Sequence, residues 1–245
     1  MKILPSLAIG LSCSLLLALA GCESRSISDS GYYHGNTSYG GNYASGGYRG
    51  ELLEADVVGA PASGGAVSEA EIQRALRNHA AVHAAPGTGL IVVQSGAQTP
   101  DADMLRSLGA HYRVQSFSGL LPDEADRANY SKSLRLAAAQ GGYQHILCCW
   151  GTLESAREDQ VTKTVSWVPI AGSFVPDESQ RMRINLHAVL IDVATGRWSA
   201  YTGKSSENTA LSARVVRESS DQKQVAQLKA SAYASLADEL VARSG

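Results

Sequence analysis

The sequence predicts an α/β fold: a single three-layer domain that starts as a parallel β-α-β-α-β unit, gains an antiparallel hairpin extension and ends on a helix. Three observations carry this expectation. Short apolar or β-branched runs at 90–95, 111–117 and 144–150 alternate with helix-like stretches across residues 99–140. The connections between them are short, the pattern of a parallel sheet covered on both faces. Further on, extended runs at 161–168 and 182–193 lead through Asp192-Val-Ala-Thr-Gly196 into 197–202, a hairpin signal.

The first element is a helix from Ser68, where Ser68-x-x-Glu71 forms a capping box and Ile72, Ala75 and Leu76 follow at helical spacing. It is expected to end before Pro86-Gly87. Leu90 to Ser95 reads as a buried strand. Thr99-Pro100 opens the next helix, with Thr as cap and Pro in the first turn. Met104, Leu105 and Leu108 make its apolar face, and Gly109 ends it. His111–Phe117 is the second strand. Residues 128–140 form a helix closed by Gly141-Gly142, and Gln144–Trp150 is the third strand. From about Asp221 a last helix places Val225, Leu228, Ala232, Leu236 and Leu240 on one stripe.

Ahead of this domain the chain is of a different kind. Lys2 is the only charge in the first 22 residues, and Ile3 to Ala20 is mostly apolar. One basic residue, a short apolar region and then small residues is the layout of a secretory signal. As a spanning helix the stretch is marginal. Leu19-Ala20-Gly21-Cys22 resembles the lipobox of bacterial lipoproteins. That resemblance implies cleavage after residue 21, removal of Cys13 with the signal, and acylation (palmitate included) of Cys22. Glu23 stands where the family's retention rule places Asp, which implies the outer membrane, periplasmic face. Two or more acyl chains hold a protein firmly where one binds marginally.

Residues 22–67 read as a lipidated, flexible Gly/Ser/Tyr-rich tether, with Tyr32, Tyr33, Tyr39, Tyr43 and Tyr48 in its polar stretch. As a free coil its roughly 46 residues reach about 35–40 Å, enough to stand the domain away from the membrane. Residues 68–245 are then one mixed α/β domain. Without the signal, 20 basic residues face 23 acidic ones, a net charge of −3. No Lys/Arg cluster exists, so nucleic-acid binding has no electrostatic footprint.

The chain carries no G-x-S-x-G, H-E-x-x-H or C-x-x-C motif. Gly203-Lys204-Ser205 looks like the tail of a phosphate loop, but Trp198 stands in place of its first glycine. His79 and His83, spaced i, i+4, would share one helix face as paired metal ligands do, yet no third ligand is identifiable. His145 and His187 read as structural. Adjacent Cys148 and Cys149 on a strand point to opposite faces, so buried free thiols are favoured over a disulfide or redox pair. No catalytic residue, cofactor or metal site is assigned.

The stretch 165–176 joins two predicted strands, with prolines at 169 and 176 and Gly172 in its middle. It carries Trp167, Ile170 and Phe174. An apolar surface loop suggests contact with a protein or a membrane, and folding back over the core is its alternative. The element order over residues 88–243 resembles the α/β domain of periplasmic assembly lipoproteins, of the curli-secretion and peptidoglycan-synthase-activator type. The favoured function is a non-enzymatic accessory, adaptor or assembly factor with an envelope protein partner. Small-ligand binding and hydrolysis of peptide or cell wall are the alternatives.

Overall fold

A computed structural model describes residues 25–29, 50–59, 67–158, 165–169, 180–210 and 217–244. In chain order the elements are β1 (Arg25–Ser26), a 3-10 turn (Ile27–Asp29), α1 (Glu54–Val58), α2 (Glu69–Arg77), β2 (Gly89–Gln94), α3 (Ala102–Gly109) and β3 (Arg113–Phe117). There follow α4 (Glu124–Arg127), α5 (Tyr130–Gln140), β4 (His145–Glu158), β5 (Val165–Pro169), β6 (Gln180–Asp192), β7 (Trp198–Thr202), β8 (Ser206–Ala210) and α6 (Arg217–Ala242). One sheet runs β3-β2-β4-β6-β7, with β1 and β5 also on β4 and β8 also on β6. β2 is parallel to β3 and to β4, while β6 and β7 are antiparallel additions. The fold is the expected mixed α/β sheet.

Strand alternation sorts the core into two clusters. Leu90, Val92, Leu147 and Cys149 face Met104 and Leu108 of α3 and the stripe of α6, in which Val225, Leu228, Ala232, Leu236 and Leu240 are all buried. Ile91, Val93, Ile146 and Cys148 face Leu134 and Ala138 of α5 and Val57 of α1. Each fully buried aliphatic side chain contributes roughly 1.5–3 kcal/mol. Helices thus cover both faces of the parallel strands. The hairpin turn is as read: Gly196 takes φ 71°, and the Asp192 carboxylate accepts from the Thr195 N–H at 2.7 Å.

Several boundaries differ from expectation, each for a physical reason. The capping box at Ser68 forms, with the Ser68 N–H donating to Glu71 Oε2 at 2.8 Å. The helix it starts stops at Arg77, however, so His79 and His83 lie beyond it and share no helical face. Residues 79–84 instead run to the sheet, where Val82 is buried and the Tyr201 hydroxyl donates to its carbonyl at 2.7 Å. The cap of α3 is Asp101, not Thr99. β4 does not end at Trp150 but runs on to Glu158, and β8 was not read at all.

The stretch read as tether also differs. Arg25–Ser26 pairs antiparallel with Thr152 and Leu153 of β4. Ile27, Leu52 and Val57 are buried in the two cores. A short apolar residue between serines is enough for this, because a few sheet hydrogen bonds and one buried side chain offset ordering so few residues. The flanks of residues 30–49 therefore belong to the folded unit.

Candidate functional site

In open parallel sheets ligands sit beyond the carboxyl ends of the strands, where the crossovers diverge to opposite faces. Here that place lies between β2 and β4. The crossover after β2 goes to the face of α3, and the one after β3 goes to the face of α5. Gln94, Ser95, Asp101, Trp150 and Gly151 converge on it.

The crevice is filled by the chain's own N-terminal segment. The Ser28 hydroxyl donates to the Ser95 carbonyl at 2.6 Å and accepts from the Gln94 amide at 3.0 Å. The Leu52 N–H donates to Ser95 Oγ at 2.8 Å, and the Trp150 indole N–H donates to the Leu52 carbonyl at 2.6 Å. Ser26 donates to Glu51 at 2.6 Å, which ties the segment before residue 30 to the segment after residue 49. Gly151 makes room for the plug: a Cβ there would lie 2.6 Å from Ile27 Cδ1 and 2.6 Å from Leu186 Cδ2. Burial raises the Glu51 carboxyl above its ordinary value, against the opposing effects of the Ser26 hydrogen bond and the His187 ring.

Beside the crevice, Asp101 accepts at one carboxylate oxygen from the Tyr233 hydroxyl at 2.5 Å and pairs through it with Lys229 at 3.0 Å. That side chain is drawn to α6, which is why it makes no capping bond to α3. Burial first, and the Asp101 carboxylate second, push the Tyr233 phenol far up. The cluster locks α3 and α6 together; its tyrosine is held protonated and its lysine is spent on an ion pair.

On the outer face of α6 an open groove of about 610 Å³ runs past Lys204, Ser231, Ser235 and Asp238. Its serines are engaged locally, Ser235 accepting from the Lys204 N–H at 2.9 Å and Ser206 donating to Ser231 at 3.2 Å. Cys148 and Cys149 are buried and free. Burial raises both thiols, that of Cys149 to about 12, so both stay protonated near neutral pH and are poor nucleophiles and ligands. Among the described residues no three His, Cys, Asp or Glu side chains group as a metal site.

His187 stacks on Trp150, rings 5.1 Å apart and 6° from parallel, and lies 3.1 Å from Glu54. His145 keeps a buried Nδ1 with no hydrogen-bond partner among the described residues; burial lowers its pKa and nearby Asp192 opposes that. Of the residues singled out in the sequence, Trp167 lies on β5 opposite Ala156. Cys22, Ile170 and Phe174 lie outside the described residues. The structure brings together instead Ser26, Ile27, Ser28 and Leu52, which sequence reasoning passed over, because one apolar residue between two serines is too short an alternation to read as a strand.

Residues 53–243 match the model of the YafT bacterial lipoprotein family. No curated protein matches the chain. Two solved structures are similar over 64% of the chain. One is a point variant of the PelC dodecamer from Paraburkholderia phytofirmans, with 20% identity, 95% of that chain covered and a TM-score of 0.28. The other is a PelC dodecamer from the same organism in a second crystal form, with 16% identity, 91% of that chain covered and a TM-score of 0.31. The chain belongs to the YafT bacterial lipoprotein family.

Proposed function

We propose that this lipoprotein is a non-enzymatic accessory or adaptor factor of the cell envelope, acylated at Cys22 and held on the periplasmic face of the outer membrane. In this reading residues 1–21 are the cleaved signal and the mature chain begins at Cys22. The observation that carries the non-enzymatic reading is the filled crevice. The place where an open α/β sheet would take a small ligand or substrate holds Ile27, Ser28 and Leu52 instead. The protonated thiols and the engaged serines point the same way. The likeness to periplasmic assembly lipoproteins rests on element order, and element order does not set function.

An envelope protein is the proposed partner, with Trp167, Ile170 and Phe174 as its contact. Two experiments test the reading. Cys22→Ser should abolish incorporation of labelled palmitate and release the protein from membranes; unchanged labelling would refute acylation at that residue. Crosslinking in intact cells should capture one dominant envelope protein with the native chain and lose it with a Trp167→Ser, Phe174→Ser double variant. Equal capture by both would remove Trp167 and Phe174 as the contact.

A further inference from the structure

We infer that the end of the sheet formed by β5 and the far half of β4 lies against the lipid surface, so that the domain is fixed on the membrane rather than held away from it on a tether. This rests on acylation of Cys22. The first described residue of the sheet, Arg25, is only three residues beyond Cys22. Three residues, fully extended, span at most about 11 Å. The polar stretch at 30–49, which would have supplied most of a long tether, comes after this point, and both its flanks are tied to the crevice. It adds nothing to the separation of domain and membrane.

The sheet itself sets the orientation. Arg25 sits opposite Leu153, and β4 continues five residues further to Glu158, with β5 paired along it throughout. At about 3.3 Å per residue this extension runs roughly 17 Å beyond Arg25. It is longer than the linker. A domain whose acyl chains are inserted therefore cannot hold that end clear of the bilayer. Upright, the extension passes the anchor by about 6 Å, similar to the interfacial depth of about 5–10 Å at which apolar protein faces settle. Tilted, the outer edge of β5 lies along the surface. β5 has the sequence Val-Ser-Trp-Val-Pro, without a charge. Tryptophan and apolar residues suit the boundary between head groups and acyl chains, so Trp167 falls to the lipid side here and the envelope partner's contact narrows to Ile170 and Phe174. The opposite end of the sheet, at the start of β4 and the end of α5, faces away.

The anchoring plug makes this orientation rigid. If residues 25–28 came out of the crevice, the same acyl chains would hold the domain on a linker long enough to leave the surface. Fluorescence quenching on the full-length acylated protein in lipid vesicles separates the two arrangements. Buried Cys148 and Cys149 and acylated Cys22 leave a single introduced thiol to label, at Ser166→Cys on β5 or at Gln140→Cys on the exposed end of α5. With a quencher on the lipid head groups, the label at 166 should be quenched at least threefold more than the label at 140. An Ile27→Asp change should leave vesicle flotation intact and bring the two labels to equal quenching. Equal quenching in the unmodified plug, with the protein still floating, would overturn the inference and leave acylation standing. If Cys22→Ser floated as well as the native chain, the anchoring itself would be wrong and the inference would fall with it.

Discussion

The two halves of β4 contrast in how they are held. From Ile146 to Gly151 every residue is buried, along antiparallel β6 and, up to Cys149, parallel β2, with helices on both faces. From Thr152 to Glu154 burial alternates; β6 stays on one edge, and on the other the short strands β1 and β5 take the place of β2. A strand covered on both faces is built as a continuous apolar run, whereas one covered on a single face alternates and carries charge. The first half is therefore a rigid platform covered on both faces. The second is an extension edged by β1, from the other end of the chain, and by β5, the strand that follows it, and it is where function is proposed to act.

Breaking the platform should have the largest effect. Leu147, fully buried in the first half, should cost about 2–5 kcal/mol as Leu147→Ala, read as a lower midpoint in urea unfolding with unchanged cooperativity. The junction should come next. Gly151→Val overfills the space shared with Ile27 and Leu186, at about 1–3 kcal/mol. It should also expose Arg25 to limited trypsin digestion before the rest of the domain opens. If the Arg25 bond stays as resistant as in the native chain, the plug does not depend on that space.

In the extension the effect should be smaller. Arg183 pairs with Glu154 at 2.5 Å, both side chains partly exposed. Glu154→Gln should cost about 0.5–1 kcal/mol at low ionic strength and less in 1 M salt. The smallest effect is a slope rather than a midpoint. Burial keeps the folded pKa of His145 below the ordinary value of 6.5. As pH falls, the unfolded chain takes up the proton first, so the contribution of neutral His145 is complete above about pH 6.5 and is lost as pH falls through the folded value. His145→Asn should flatten the stability profile in that window; an unchanged slope would assign it to another group.

The same contrast explains what could be read in advance. The parallel unit, the Asp192–Gly196 turn and the α6 stripe all announce themselves through local periodicity and turn chemistry. The far half of β4, Gly-Thr-Leu-Glu-Ser-Ala-Arg-Glu, mixes small and charged residues and has no such signal. Its register depends on β1, a pairing across most of the chain, and on β5, reached through Asp-Gln-Val-Thr-Lys-Thr, which has no glycine or proline to mark a turn. The plug was hidden for a related reason: Ile27 sits in a polar, glycine-rich neighbourhood, and one apolar residue there has meaning only once Gly151 is known to lie opposite. Cys148 and Cys149 were legible because strand alternation alone separates them. His79 and His83 were misplaced because a helix was extended past Arg77 to the next proline, while Val82 was claimed by the sheet.

Residues 25–29 and 50–58 are part of the folded domain. Hydrogen exchange on the full-length chain measures this directly. Peptides covering 25–29 and 50–58 should exchange far more slowly than their intrinsic chemical rates, and Gly151→Val should speed up the first of them selectively. Exchange of both peptides at the intrinsic rates, with β4 still protected, would show that the crevice is open and that the domain hangs on a free tether.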